Sequence, residues 1–113
     1  MEIQFQPGRK RDQVIIVLEG DLDLYATVAF CNAVLSKLES GTTRAILDFG
    51  KVRYLDSSGV GALIRILQKA RSLGGEIRVV RLAGTPMKVL EMSNIISLLK
   101  ISPDTEAALE AWE

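Results

Sequence analysis

Three features of the sequence predict an α/β fold with a mixed, mostly parallel sheet of four to five strands and about four helices. Short apolar runs alternate with segments whose apolar residues recur at helical spacing. The clearest run, Val14-Ile15-Ile16-Val17-Leu18, is uninterrupted and β-branched, as expected of a strand covered on both faces. Turn and capping residues separate the two kinds of segment. Strands that alternate with helices form parallel sheets through right-handed crossovers.

The elements follow in order. Ile3 to Gln6 alternates and predicts a short edge strand, antiparallel because only the turn-rich loop Pro7 to Asp12 joins it to the next strand. Val14 to Leu18 is that next strand, and Gly20-Asp21-Leu22-Asp23 ends it. A helix is predicted from Tyr25 to Glu39, with Gly41 as its stop. The strand Ala45 to Phe49 leads through Lys51 to Ser58, read as a loop, into a periodic helix carrying Leu63, Ile66, Leu67, Ala70 and Leu73. Either Asp56 or Ser57 can cap that helix, because a side-chain oxygen there accepts from the unpaired amides of the first turn. Gly74-Gly75 terminates it. Ile77 to Leu82 is a strand. Thr85-Pro86 reads as a helix start, with Thr as the cap and Pro at the first helical position. That helix runs to Met92, and Asn94 closes it in the left-handed conformation. The apolar piece Ile95 to Ile101 follows. Ser102-Pro103-Asp104 starts a last helix with Ala107, Ala108 and Trp112, where Trp112 reads as a packing residue.

Composition narrows the functional classes. The 113 residues suit one domain, 1–113, which buries roughly two thirds of its unfolded surface. Hydrophobic content of 48% argues against disorder. Lys plus Arg and Asp plus Glu number 14 each, so the chain lacks the basic surplus that nucleic acid binding needs. The cluster Arg9-Lys10-Arg11 reads as a solvated hairpin loop. Cys31 lies on a helix stripe with Val34, Leu35 and Leu38 and is expected in the core. A single Cys excludes an internal disulfide and any multi-Cys metal site. No run reaches the length of a membrane span, and the charged N-terminus lacks the apolar core of a signal peptide. The expectation is a cytoplasmic protein without membrane insertion, cofactor or bound metal.

In parallel sheets the loops after the strands gather at one edge, where ligands and partners bind. Three segments are expected there: Gly20 to Asp23, Lys51 to Ser58, and Ala83 to Thr85. Asp21, Asp23 and Asp56 would then surround Ser57. Catalysis is not expected. Ser57 and Ser58 lack a nucleophile elbow, and the sequence has no His to activate them. A Ser–Lys pair with Lys51 or Lys88 has nothing in the sequence to assemble it. Ser58-Gly59-Val60-Gly61 is similar to phosphate-cradling loops but lacks their Lys. Two or three carboxylates suit Mg²⁺, though loop-end acids more often cap helices. Gly59 and Gly61 also suit a helix start packed closely on the sheet.

Leu55-Asp56-Ser57-Ser58-Gly59-Val60-Gly61 resembles the phosphorylation loop of the STAS-domain anti-sigma-factor antagonists. Gly20-Asp21-Leu22-Asp23, Asp48-Phe49, Gly74-Gly75-Glu76 and Leu90-Glu91-Met92-Ser93-Asn94 fall in the family's order, so the resemblance spans nearly the whole chain. It implies a STAS fold and a non-enzymatic switch. The unphosphorylated form would bind an anti-sigma factor, itself a GHKL-type serine kinase, and free the sigma factor. The kinase would use ATP to phosphorylate Ser57, with Ser58 as the less favoured neighbour, and a PP2C-type phosphatase would reverse it. Asp21, Asp23, Asp56, Ser58, Gly59, Val60 and Gly61 would belong to the partner-binding loops. In the family the exposed face of the central helix, here Arg65, Gln68 and Lys69, borders the kinase surface. The resemblance also admits an adaptor subunit of a lipid-transport ABC complex and a module binding nucleotides or small ligands. The intact Asp-Ser-Ser-Gly loop favours the switch.

Overall fold

The computed structural model describes residues 1–113. Five strands lie in sequence order across one sheet: β1 (Glu2–Pro7), β2 (Gln13–Leu22), β3 (Arg44–Leu55), β4 (Glu76–Val80) and β5 (Lys100–Ser102). β1 is antiparallel to β2, and every other pair is parallel. The helices are α1 (Leu24–Glu39), α2 (Ser57–Ser72), α3 (Gly84–Met92) and α4 (Thr105–Glu110), with a short 3-10 turn at Ile96–Leu98 before β5. The mixed five-strand sheet with four helices agrees with the architecture read from the sequence.

The alternation of the strands sorts their side chains onto two faces. Val14, Ile16 and Leu18 of β2, Ala45, Leu47 and Phe49 of β3, and Ile77 and Val79 of β4 meet the apolar stripes of α1, α2 and α3. Cys31 is buried in this core, beside Val34 and Leu38. Ile15, Ile46 and Val80 point the other way and pack against Ala108, Leu109 and Trp112. Both faces of β2 are therefore apolar because both are covered. Trp112 packs as expected, and its indole N–H also donates to Glu76 Oε2 at 2.6 Å. Glu76 is an ion-pair hub, with Lys100 Nζ at 2.8 Å and Arg78 Nε at 2.7 Å.

Four expectations need correction. β2 continues to Leu22 and β3 to Leu55, so most of the expected Lys51–Ser58 loop is strand. Gly50 lies in a register shift, after which Glu19 pairs with Lys51 and Leu22 with Leu55. The buried Val52 and Leu55 hold that extension to the core. α3 starts at Gly84, after Ala83, and no side chain caps it, so Thr85 is not the cap. Gly84, at φ +60°, makes the turn that places the helix start there. The Arg9 side chain is not merely solvated, since it pairs with Glu106 and Glu113 and ties the β1–β2 turn to the α4 region. Other boundary signals hold: Asn94 adopts φ 60° after α3, and Asp104 caps α4 by accepting from the Ala107 amide at 2.8 Å.

Candidate functional site

The extended ends of β2 and β3 lie side by side and deliver two helix starts to one place. Asp23 precedes α1, and its Oδ1 accepts from the Ala26 amide at 2.9 Å. Asp56 precedes α2, and its Oδ1 accepts from the amides of Ser58 at 3.0 Å and Gly59 at 3.3 Å. Asp56, rather than Ser57, is therefore the cap. The choice is physical: an oxygen at the last extended residue reaches the amides of the second and third helical residues. The Asp56 amide donates to the Leu22 carbonyl at 3.4 Å, so one aspartate ties the head of α2 to the end of β2.

The two serines differ. Ser58 is half-buried, and its hydroxyl donates to the Asp56 carboxylate. Ser57 is the first residue of α2, is exposed, and makes no side-chain hydrogen bond. The Ser58 hydroxyl, working against partial desolvation, is the first cause that holds the Asp56 carboxyl below the usual carboxylate range, and the amides of Gly59, Ser58 and Leu24 add to it. Asp56 is therefore ionised at neutral pH and a poor proton acceptor beside Ser57.

The remaining predicted residues divide. Asp21 is exposed at the end of β2, in register with Tyr54. Gly59 and Val60 are buried on the inner side of α2, whereas Gly61 is exposed. A Cβ on Gly59 would lie 3.1 Å from the Leu22 carbonyl oxygen and 2.3 Å from Leu55 Cδ1, while one on Gly61 would meet nothing within 4 Å. Close packing therefore explains Gly59 and not Gly61. Arg65 and Gln68 continue the exposed side of α2. No hydrogen bond or ion pair joins Ala83–Thr85 to the other two segments. Lys51 Nζ lies 3.7 Å from Glu19, away from any serine contact. No group of three acidic or Cys side chains is placed to hold a metal ion.

Two features were missed by sequence reading. The first turns of α1 leave Leu24, Tyr25 and Val28 65%, 91% and 64% exposed, close to the acids. Beside them a shallow groove runs between β1 and α1, lined by Met1, Ile3, Asp21, Asp23, Tyr25 and Ala26 among others. The available signal was three large apolar residues before the core stripe that begins at Phe30. The other feature is Thr27, whose Oγ1 lies 3.1 Å from Ser58 Oγ. A lone Thr in a helix carries no sequence signal for such a contact.

The family model for the STAS domain matches residues 2–108. The chain belongs to the STAS-domain family. This STAS domain is 18% identical over 110 residues to the anti-sigma-B factor antagonist of Bacillus subtilis, covering 97% of this chain and 100% of that one. It is 23% identical over 118 residues to the anti-sigma F factor antagonist of Paenibacillus polymyxa, covering 100% of this chain and 97% of that one. Its fold matches that of the anti-sigma factor antagonist SpoIIAA in its unphosphorylated form, with a TM-score of 0.83 at 22% identity over 98% of this chain and 96% of the other. No helix of this STAS domain is long and apolar enough to cross a membrane.

Proposed function

We propose that this STAS protein is an anti-sigma-factor antagonist switched by phosphorylation at Ser57. The unphosphorylated form binds a cytoplasmic anti-sigma factor, a GHKL-type serine kinase, and frees the sigma factor. Phosphorylation ends that binding, and a PP2C-type phosphatase restores it. The chain catalyses nothing itself. The observation that carries the reading is the contrast between an exposed, unbonded Ser57 and a Ser58 whose hydroxyl is engaged by Asp56. The relatives named as anti-sigma factor antagonists support the partner class.

The partner surface in this reading is the α1–α2 head. Leu24, Tyr25 and Val28 supply apolar area, and Asp21, Asp23 and Asp56 supply negative charge. Such a patch suits a partner with an apolar pocket flanked by Arg or Lys. A phosphoserine would add about −1.5 to −2 charges there at pH 7. The α2 dipole offsets about 0.3 to 1 kcal/mol of the cost per exposed unit charge. That is small against a domain stability of roughly 5 to 15 kcal/mol, so the fold survives. Docking, by contrast, would have to desolvate the new charge beside existing carboxylates, and affinity falls.

The test combines partner capture, site mapping and affinity. The protein is expected to retain a GHKL-type kinase, to take phosphate from ATP at Ser57, and then to release the kinase with backbone amide shifts confined to the α1–α2 head. Capture of an ABC ATPase, labelling at Thr85, or unchanged affinity after phosphorylation would each overturn the reading.

A further inference from the structure

We propose that this chain associates with itself head to tail: the α1–α2 head of one molecule seats in a groove beside the second half of α2 on a second copy.

The groove lies between α2, the start of β4 and the 3-10 turn before β5, and its volume is about 570 Å³. Ile64, Leu67 and Leu98 line it, together with the cations Arg71 and Lys100 and one acid, Glu76. Glu76 is fully engaged, because Lys100 holds its Oε1 while Arg78 and the Trp112 indole hold its Oε2. Arg71 pairs with no acid of the chain. The recess is therefore apolar with a surplus of positive charge. The C-terminus of α2 opposes that surplus only weakly, since the carbonyls of Lys69, Ala70 and Arg71 already receive the amides of Leu73, Gly74 and Gly75.

The α1–α2 head is the counterpart of this recess in relief and in charge. Leu24, Tyr25 and Val28 stand out from the surface, and Asp21, Asp23 and Asp56 beside them pair with no cation of the chain. A projecting apolar group flanked by acids matches an apolar recess edged by cations. The recess is in the size range that accepts a compact ligand, so the Tyr25 ring has room in it. Head and groove cannot meet within one molecule, because α2 carries them apart over 16 residues, ~24 Å of helix. A copy can thus give its head to one neighbour and its groove to another. Contacts between two different surfaces do not saturate in a pair; they extend into chains or close into rings. A head seated in a neighbour is closed to the anti-sigma kinase, so self-association would compete with kinase binding. That last consequence alone rests on the function proposed above.

The test uses the purified full chain with no partner present. Sedimentation velocity is run over a concentration series reaching roughly 1 mM, the weak end of specific association. The average mass is expected to pass that of a dimer without a plateau there, and added salt is expected to weaken the association. Tyr25→Ala removes the projecting ring and Arg71→Glu reverses the free cation. Both sites are exposed, and unchanged melting temperatures confirm the fold. Each variant alone should associate about tenfold or more weakly than the parent. Mixed in equal amounts, they should form a complex of two chains that grows no further, because only the head of Arg71→Glu and the groove of Tyr25→Ala remain intact. Dilution of the parent should move the backbone amide signals of two separate regions, Leu24–Val28 and the Ile64, Leu67 and Leu98 groove. A monomer at every concentration overturns the proposal. So does a plateau at the dimer with signals moving in one region only, or a mixture of the two variants that stays monomeric while the parent associates.

Discussion

Two glycines in the same turn of α2 should respond oppositely to a methyl group. Gly61 is exposed, and a Cβ built there meets nothing within 4 Å. Replacing a helical glycine with alanine removes backbone entropy from the unfolded chain, a gain of about 0.5 to 1 kcal/mol. For a domain near this size that is a rise of about 2–6 °C in Tm. Gly59 has the same propensity gain, but its Cβ would sit 3.1 Å from the backbone oxygen of Leu22 and 2.3 Å from Leu55 Cδ1. The Leu55 methyl can turn aside, whereas the Leu22 carbonyl cannot, because it accepts from the Asp56 amide. Overpacking of this kind costs about 1 to 3 kcal/mol, which leaves Gly59→Ala roughly 0 to 2 kcal/mol less stable than the parent. Urea denaturation of both variants, with midpoints compared at equal slope, measures the difference directly. A Gly59→Ala variant as stabilised as Gly61→Ala would refute the close approach between α2 and the end of β2. A destabilised Gly61→Ala would show that its surroundings are filled. Gly61 also lies one turn after Ser57 on the same exposed side, so Gly61→Ala should weaken kinase binding while it stabilises the fold.

Two further outcomes are expected. Tyr25→Ala, at a side chain 91% exposed, should leave Tm unchanged but weaken kinase affinity about tenfold or more, as titration calorimetry would record; equal affinity would remove α1 from the interface. The second concerns acid stability. Burial works to raise the Glu76 carboxyl, but Lys100, the Trp112 indole N–H and Arg78 outweigh it and hold the group below its ordinary value of 4.5. A carboxyl depressed in the folded state stabilises fully above its unfolded pKa and loses that contribution as pH falls through the folded value. Denaturation midpoints of the parent should therefore drop as pH falls below about 4.5, and Glu76→Gln, less stable at pH 7, should show a shallower drop; parallel curves would exclude Glu76 as a source of acid sensitivity.

What the sequence made legible depended on how local the physical cause was. Val14 to Leu18 could be read as doubly covered because both faces of one run are apolar. Asn94 and Asp104 could be read because a left-handed residue and an N-cap act within a few positions. Asp23 and Asp56 could be placed together because the topology brings the ends of β2 and β3 to one edge. The failures had distant causes. Lys51 to Leu55 was read as loop because the register shift that carries β3 onward is defined only against β2. Thr85 looked like a cap because the turn at Gly84 depends on backbone geometry that Thr85-Pro86 does not encode. The partners of Arg9 lie about a hundred residues further along the chain, and Thr27 meets Ser58 only because α1 and α2 pack side by side. The difference between Ser57 and Ser58, adjacent and identical in type, was invisible until side-chain directions were known.

The placement of α4 bears on how the protein is made. The strands that it covers all precede it, and they belong to a sheet whose other face is closed by helices interleaved with those strands. During synthesis the α1–α3 side can therefore assemble as the chain emerges, while Ile15, Ile46 and Val80 stay open to water until Ala108, Leu109 and Trp112 leave the ribosome. At roughly 5 to 20 residues per second, the interval between β4 and α4 lasts on the order of a second or more. For that time the nascent chain carries an apolar strip on a half-finished sheet, the kind of surface that chaperones bind and that neighbouring nascent chains adhere to. Crowded polysomes, rather than heat or denaturant, are where a defect in α4 would be felt first.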